Sequence, residues 1–397
     1  HRLPDDGGGF LIIGWFGPYG AKRMGDIRAW LFSSKSKGMS LGLERVSIAL
    51  EKLNRPDKKM HCIHVAGSNG KGSVCAHLSS GLHRAGFKVG LFSSPHLVKI
   101  EERVRINGKS VDSADFDKAL EKVKSLKMDL TFFEITYLVS LIICSEQKVR
   151  YMILETGLGG RLDATRSAEV IGCLVTSVTL EHSDILGDTI EQIAKEKAAI
   201  FRPGIPMLIR DPGIATVRNA MREEAIAAKF YAPDSLDFMA EAGDLAEKFC
   251  EMLNLPFIRR EVTWPARMQL IDMKPKVLLE AAHNPSGMAK AIPEIARKLP
   301  KRWSLIMGTS PQQEMDSFLQ PLYSLILSHP PLEIITTEPQ NGRYPGVKNP
   351  IPKVDHIPQP AKAYDTISKD CEMILVIGSL YLCGNIMEHL GISADIT

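Results

Sequence analysis

The sequence predicts an α/β protein of two domains, each built on a mostly parallel sheet, and three observations carry that expectation. Residues 60–66 are apolar and β-prone, run into the glycine-dense stretch Gly67-Ser68-Asn69-Gly70-Lys71-Gly72-Ser73, and give way to helical spacing from 73 to 85 that stops at Gly86. From Lys276 onward, apolar runs at 276–280, 303–307, 332–336 and 373–377 alternate with helical segments from Ser286, from Met315 and over 362–369. A chain of 397 residues with 44% hydrophobic content can fill two cores. The expected division is 26–272 for the first domain and 273–397 for a smaller second one.

Composition narrows the partners. With 49 basic against 46 acidic residues, a net charge of +3 and no long basic run, nothing points to nucleic acid. The apolar run at 10–16 is too short to span a bilayer and its flanks lack the form of a secretory signal, so the expectation is a cytoplasmic protein without a membrane partner. Seven cysteines are scattered without C-x-x-C pairs, as buried thiols of a reducing compartment would be. Residues 1–25, which open at His1 and carry Gly7, Gly8 and Gly9, read as an extension or tag.

The elements follow in order. Ile27, Trp30, Leu31, Leu43, Val46, Leu50 and Leu53 fall at helical spacing, broken around Gly38. The strand at 60–66 then enters the glycine loop, where Gly67, Gly70 and Gly72 permit a tight turn with inward N–H groups and a helix N-terminus behind them. That is phosphate-binding geometry: Lys71 can neutralise the outer phosphates, and the Ser73 hydroxyl is placed to ligate magnesium. Only two residues separate Gly67 from Gly70, so the strict phosphate-loop pattern is not met. A second strand at 88–92 ends in Ser93-Ser94-Pro95-His96. Loops at the carboxyl ends of parallel strands converge on one edge, which makes His96 a pocket candidate, with a structural hydrogen-bonder as the alternative. Residues 101–109 read as an edge strand turning at Asn107-Gly108, 112–127 as a charged helix, and 135–144 as an apolar one. Thr131, Phe132 and Phe133 either pack in the core or hold a flat ring system.

The strand at 151–154 ends in Glu155, followed by Gly157, Gly159 and Gly160. A carboxylate there is costly unless paired or metal-bound, so Glu155 reads as a magnesium ligand facing the loop, or else as half of an ion pair. By the same edge argument His182, after a strand at 173–178, is a second ligand candidate. Thr189 opens a helix that sets Lys197 on its apolar side, where a free ammonium is unfavourable and its pKa depressed or its charge modified. Residues 205–210 are expected to form the last strand of this domain, 241–253 a further helix, and 264–267 a linker. At the head of the second domain, Glu280-Ala281-Ala282-His283-Asn284-Pro285 again places polar groups at a strand end.

In order and near-spacing, Gly67 to Ser73, Ser94-Pro95-His96, Leu130 to Glu134, Glu155 to Thr165, His182, Glu196 to Ile200, His283-Asn284-Pro285 and Gly378 to Tyr381 resemble the folylpolyglutamate synthase and dihydrofolate synthase family of Mur-type amide ligases. The resemblance implies an N-terminal P-loop-type ATPase domain, a smaller C-terminal Rossmann-like glutamate-ligase domain, and ATP with Mg2+ as cofactors. It implies that L-glutamate is joined to dihydropteroate, to a reduced folate, or to both, through an acyl phosphate made with ATP. On this resemblance Gly67, Ser68, Asn69, Gly70, Lys71, Gly72 and Ser73 hold the nucleotide with Arg267, Glu280, His283 and Asn284. Ser73, Glu155, His182 and Lys197 hold the metal, Lys197 at the position carbamylated in the family; Lys71, Lys197, His182 and Glu155 are the catalytic set. Ser94, His96, Thr131, Phe133, Asp163 and Ala164 match positions around the acceptor. Relatives of this kind are commonly monomers, and a monomer is expected.

Several residues depart from the family. Asp-Gly becomes Glu280-Ala281, the Gly of Pro-Gly-Arg becomes Ala266, the Asn after Asp-Ala-Thr becomes Arg166, and the adenine-contacting Asn-Ala helix has no clear match near Gly243. One alternative is therefore a nucleotide-binding relative with a different acceptor or degenerate activity. A cell-wall ligase with a UDP-linked substrate would normally carry a further N-terminal domain, for which about sixty residues leave no room, and a switching NTPase would have the strict loop spacing.

Overall fold

The computed structural model describes residues 26–38, 42–235, 237–342 and 344–397; the expected extension at 1–25 lies outside them. Eight strands form the first sheet: β1 (His61–Ala66), β2 (Val89–Phe92), β3 (Val104–Ile106), β4 (Lys109–Ser110), β5 (Tyr151–Glu155), β6 (Val170–Val175), β7 (Met207–Arg210) and β8 (Lys229–Tyr231). Their spatial order is β4-β3-β2-β5-β1-β6-β7-β8, parallel from β2 to β8, with β3 and β4 added as an antiparallel hairpin. The central strand β1 alternates its side chains between two cores, as a strand covered on both faces must. Cys62 and Ala66 enter one core, which includes the helices Asp26–Ser33, Glu44–Lys52, Ser113–Ser125, Phe132–Glu146, Ile190–Ala198 and Ala215–Glu224. Ile63 and Val65 enter the other, closed by the helices Lys71–Arg84 and Phe238–Met252.

The second sheet contains β9 (Gln269–Ile271), β10 (Lys276–Glu280), β11 (Trp303–Met307), β12 (Ile334–Thr336), β13 (Asp355–His356) and β14 (Met373–Ile377) in the order β13-β12-β11-β14-β10-β9. Only β9 pairs antiparallel. Helices Pro285–Lys298 and Met315–Ser328 cover one face, Pro360–Thr366 and Leu380–Leu390 the other.

Three expectations change. Residues 205–210 are not the last strand of the first sheet, because β8 extends the edge beyond β7. The segment from 101 does not start as a strand: Ile100–Arg103 is a turn of 3-10 helix, since the Glu102 carboxylate accepts the N–H groups of Leu97, Val98 and Lys99 and folds the chain back. The domain boundary falls before 273, because β9 already belongs to the second sheet whereas Trp264 packs in the first domain's core.

The chain also returns. The segment 392–397 leaves the second domain and lies along the β3–β4 hairpin, where Asp395 accepts the N–H and hydroxyl of Ser110 at 2.9 and 3.0 Å and Ile396 N donates to Gly108 O at 2.9 Å. Arg105 is buried beneath it, donating to Ala394 O at 2.9 Å and to Ser93 Oγ at 3.0 Å, with its guanidinium 4.9 Å from the Trp264 ring. Replacing Asp395 with Ala is expected to lower stability by about 1–2 kcal/mol through two lost hydrogen bonds. Urea unfolding would measure it, and an unchanged midpoint would mean the segment is not docked in solution.

Candidate active site

The glycine loop is fixed by what surrounds it. Gly67 has φ +145°, and a Cβ there would lie 1.9 Å from Thr176 Oγ1, so no side chain fits. Thr176 Oγ1 donates to Asn69 O at 2.8 Å and Ser68 N to Ser177 O at 2.7 Å, pinning the loop to the end of β6. Gly70 caps the helix Lys71–Arg84, which starts two residues before the expected 73. Gly72 lies against Trp264, whose Nε1 would be 2.8 Å from an added Cβ, and Ser73 is buried on the first turn. Lys71 Nζ folds back to donate to Gly67 O at 2.8 Å and Ser68 O at 3.1 Å.

The Gly67 carbonyl also accepts from Lys197 Nζ at 3.1 Å, so two ammonium groups meet at one oxygen. Glu181 Oε1 takes Lys197 Nζ at 2.8 Å. Burial alone would raise the Glu181 pKa, but Lys197 and Lys71 outweigh it and draw it down to about 2; burial lowers that of Lys197, with Glu181 opposing. The sequence reading chose His182 in this stretch and overlooked its neighbour Glu181. His182 is exposed, with φ +47°, at the head of the one-turn helix Ser183–Leu186, and no described side-chain contact joins it to the loop.

Glu155 ends β5 in register with Val65 of β1, which sets it beside the loop. It is 5% exposed and accepts Ser94 N at 3.1 Å through Oε2; burial raises its pKa while Lys71 and Arg267 oppose the rise. Among the described residues no three His, Cys, Asp or Glu side chains form a metal-holding group. A divalent ion here would therefore share Glu155 and the Ser73 hydroxyl with ligand oxygens, which fits a hard cation that keeps phosphate and water in its shell.

The residues expected around the acceptor shape the loops that carry them. Asp163 Oδ2 accepts Gly157 N at 2.8 Å and Leu158 N at 3.0 Å, and Oδ1 accepts both the N–H and the hydroxyl of Thr165. Thr165 Oγ1 in turn lies 2.7 Å from Nε2 of the buried His64. Thr131 forms a reciprocal cap with Glu134 at the start of Phe132–Glu146. Phe133 packs on Phe92, with ring centroids 5.4 Å apart, and on Gly157, and Ala164 is buried at the next turn. His96 Nδ1 accepts Arg103 Nε at 2.9 Å; burial, with Arg103 and Lys35 nearby, pushes its pKa down to about 3.

The second domain closes over the loop. Glu280, buried at the end of β10, accepts Met268 N at 2.8 Å and pairs with Arg267 at 3.5 Å. His283, exposed at the mouth of the second domain's strand end, has its Nδ1 2.9 Å from Ala281 O. Asn284 Oδ1 caps Pro285–Lys298, its Nδ2 donates to Asn69 Oδ1 at 3.0 Å, and Asn69 Nδ2 donates to Ser286 Oγ at 2.9 Å. The substitution at 281 is accommodated without positive φ, but Ala266 adopts φ +59°, a conformation that favours glycine.

Between the domains lies a cavity of about 210 Å³, bordered by Gly70, Val74, Thr176, Phe238, Ala242 and Lys290. Glu241 accepts from Arg210 on one side and Lys290 on the other, and Lys290 Nζ is 4.4 Å from the Phe238 ring centre. Helix Phe238–Met252 thus stands where the sequence offered no match near Gly243.

A parallel-sheet domain with an anion-ready loop, capped by a second α/β domain across a cavity, defines the class: an ATP-dependent acid–amino-acid ligase. No protein-family model matches the chain. The dihydrofolate synthase/folylpolyglutamate synthase of Escherichia coli is 32% identical over 324 residues, covering 71% of this chain and 76% of the relative. Among solved structures, E. coli FolC in complex with DHPP and ADP superposes with a TM-score of 0.81 at 27% identity, over 92% of this chain and 97% of that one. The Yersinia pestis bifunctional enzyme complexed with AMPPNP and Mn gives 0.80 at 26%, over 92% and 98%. The chain belongs to the folylpolyglutamate synthase/dihydrofolate synthase family.

Two buried histidines set a pH dependence. Burial holds His77 down to about 4 and His64 well below its ordinary value. Because these rings stay neutral when folded, stability is complete above about pH 6.5 and falls with acid toward pH 4, by about 1.4 kcal/mol per pH unit for each histidine. His77→Gln is expected to reduce that slope by about one proton, as read from urea unfolding between pH 7 and 4.5. An unchanged slope would mean the ring titrates normally in the folded state.

Proposed function

We propose that this chain joins L-glutamate to dihydropteroate, to reduced folates, or to both, by first converting the acceptor carboxylate to an acyl phosphate with ATP. The observation that carries the reading is the convergence of Lys71 and Lys197 on the Gly67 carbonyl. Two ammonium groups at a helix N-terminus, with the carboxylates of Glu181 and Glu155 beside them, suit the terminal phosphates of a nucleotide together with a divalent ion. On transfer of the γ-phosphoryl group, Lys71 releases Gly67 O and Ser68 O and follows the developing charge, while the loop N–H groups hold the phosphates in line. A divalent ion bound by Ser73 and Glu155 would supply further neutralisation. The amine of glutamate then attacks the acyl carbon, and phosphate leaves.

Two assignments are revised within this reading. Lys197 carries an ion pair with Glu181, so as an ammonium it is a phosphate-side cation; a carbamate in its place would face Glu181 and need the cation between them. Glu181 thereby takes the ligand position expected of His182. The nucleoside is assigned to the cavity on Phe238–Met252, and Asn284, Arg267 and His283 to closing the site from the second domain. Completion of the site by two domains of one chain supports a monomer, and seven free thiols, six of them buried, support a reducing, cytoplasmic setting.

The test measures phosphate release with ATP, glutamate and either dihydropteroate or tetrahydrofolate. Turnover that requires both acceptor and glutamate is expected, and ATP binding without turnover would favour the degenerate alternative. Lys71→Ala is expected to lower kcat by about 10²–10³ with an unchanged thermal midpoint, the scale of losing one preorganised charge stabiliser. Retained activity would remove the phosphate role from the loop.

A further inference from the structure

His64 is a buried polar ring with no part in the chemistry described above. It lies on β1 three residues before Gly67, on the face shared with Cys62 and Ala66, and is 0% exposed. A polar ring in that position is costly unless its nitrogens are engaged. Nε2 lies 2.7 Å from Thr165 Oγ1, and Nδ1 faces Arg202 Nη1 at 3.5 Å.

These contacts have a direction. Asp163 receives four donors, namely the N–H groups of Gly157, Leu158 and Thr165 and the Thr165 hydroxyl, which is the pattern of an ionised carboxylate. Burial raises the Asp163 pKa, and these hydrogen bonds oppose the rise. Because the Thr165 hydroxyl hydrogen is committed to Asp163, Oγ1 accepts from His64, and the proton of the neutral ring sits on Nε2. Nδ1 is then the bare nitrogen, which suits its place before the Arg202 cation. Burial, with Arg202 and Arg166 adding to it, holds the ring well below its ordinary pKa. The opposite tautomer would set an N–H against the guanidinium and draw the hydroxyl hydrogen away from the carboxylate.

The two ends of this chain of contacts differ in what they lose without the ring. Arg202 is fixed independently, donating to Ile200 O at 2.7 Å, Arg166 O at 2.6 Å and Ala168 O at 3.2 Å behind the helix that bears Lys197. Thr165 Oγ1 has only His64 as a described donor, and beyond it Asp163 shapes the loop that follows Glu155. That loop passes so near the Phe133 ring that a Cβ at Gly157 would lie 2.6 Å from Cε2 of the ring and 3.2 Å from Asp163 Oδ2. A small turn of Asp163 therefore shifts the loop against the ring.

We propose that His64 is a positioning residue for the acceptor: by donating to Thr165 it orients Asp163, and Asp163 holds the loop after Glu155 in the shape that takes the acceptor's flat ring beside Phe133. The proposal rests on the ligase reading, in which the acceptor lies at Phe133 and Asp163. The ring sits behind the loop and acts through Thr165 and Asp163, with no proton of its own transferred.

Three variants separate this role from bulk packing. His64→Leu keeps an apolar side chain in place but cannot donate, Thr165→Val removes the hydroxyl, and His64→Gln offers an N–H at about the reach of Nε2. Isothermal titration of the full chain would measure ADP and, as acceptor probes, dihydropteroate and tetrahydrofolate. His64→Leu and Thr165→Val are expected to weaken acceptor binding by about tenfold and to leave that of ADP within about twofold, with His64→Gln recovering most of the loss. Hydrogen exchange over 156–165, read by mass spectrometry, is expected to be faster in the first two variants and near wild type in His64→Gln. Unchanged acceptor affinity, an equal loss for ADP, or no recovery in His64→Gln would overturn the role. Thr165→Val decides where His64→Leu fails to fold, since it cuts the next link without touching β1. A wild type that binds neither acceptor sinks the ligase reading, whereas a wild type that binds and is matched by both variants sinks the positioning role alone. The exchange result decides in either case whether His64 sets the loop.

Discussion

The carbonyl of Gly67 is the point on which the site depends. It accepts two ammonium groups through its two lone pairs, and its place in the turn is open to glycine alone because Thr176 Oγ1 stands 1.9 Å from where a Cβ would be. Thr176 is held there by the β1–β6 pairing, and Glu155 is delivered to the same edge by the β1–β5 pairing. Register in a parallel sheet is thus converted into charge placement: two neighbours of one central strand bring an anchor and a carboxylate to a loop whose lysines arrive from helices on opposite faces. Glu181 keeps the lysine pair tolerable without a ligand, and a polyanion would displace part of that arrangement.

Closure is distributed over small polar contacts. Asn69 exchanges hydrogen bonds with Asn284 and Ser286, Glu241 joins Arg210 to Lys290, and the segment 392–397 ties the far side to the β3–β4 hairpin. Leu97 and Val98 of the loop after β2 add apolar packing against the second domain's core, so polar and apolar contacts share the closure. Of the family departures, those at 266 and 280–281 fall on this closing surface, whereas Arg166 donates to Ala199 O inside the first domain. Glu280 still reaches Arg267 and Met268 N despite its extra methylene, so the longer carboxylate preserves the tether that shapes the linker, and Ala266 holds a left-handed turn there at some conformational cost.

Much of this was legible because parallel strands buried on both faces announce themselves as apolar runs bounded by glycine. Lys276–Glu280, Trp303–Met307 and Met373–Ile377 fall where their sequences place them. Edge elements were harder. Lys229–Tyr231 is too short to show alternation, and the chain at 100–103 has strand-like composition but is diverted by one carboxylate bonding backwards. Phe238–Met252 begins earlier than its spacing suggests, and the overlooked first turn contains the Phe238 that borders the cavity. Glu181 was hidden beside a histidine of greater apparent chemical interest.

The loop around Asp163 shows how fully a fold can engage the polar side chains that shape it. Asp163 offers about four lone-pair sites, and the structure directs four donors at them, all from the loop it organises. Thr131 is likewise engaged by Glu134, which Arg45 holds in turn at 3.0 Å. The side chains that make this loop are already engaged with one another, so its shape is set by the chain itself, with the Phe133 ring packed between Gly157 and Phe92.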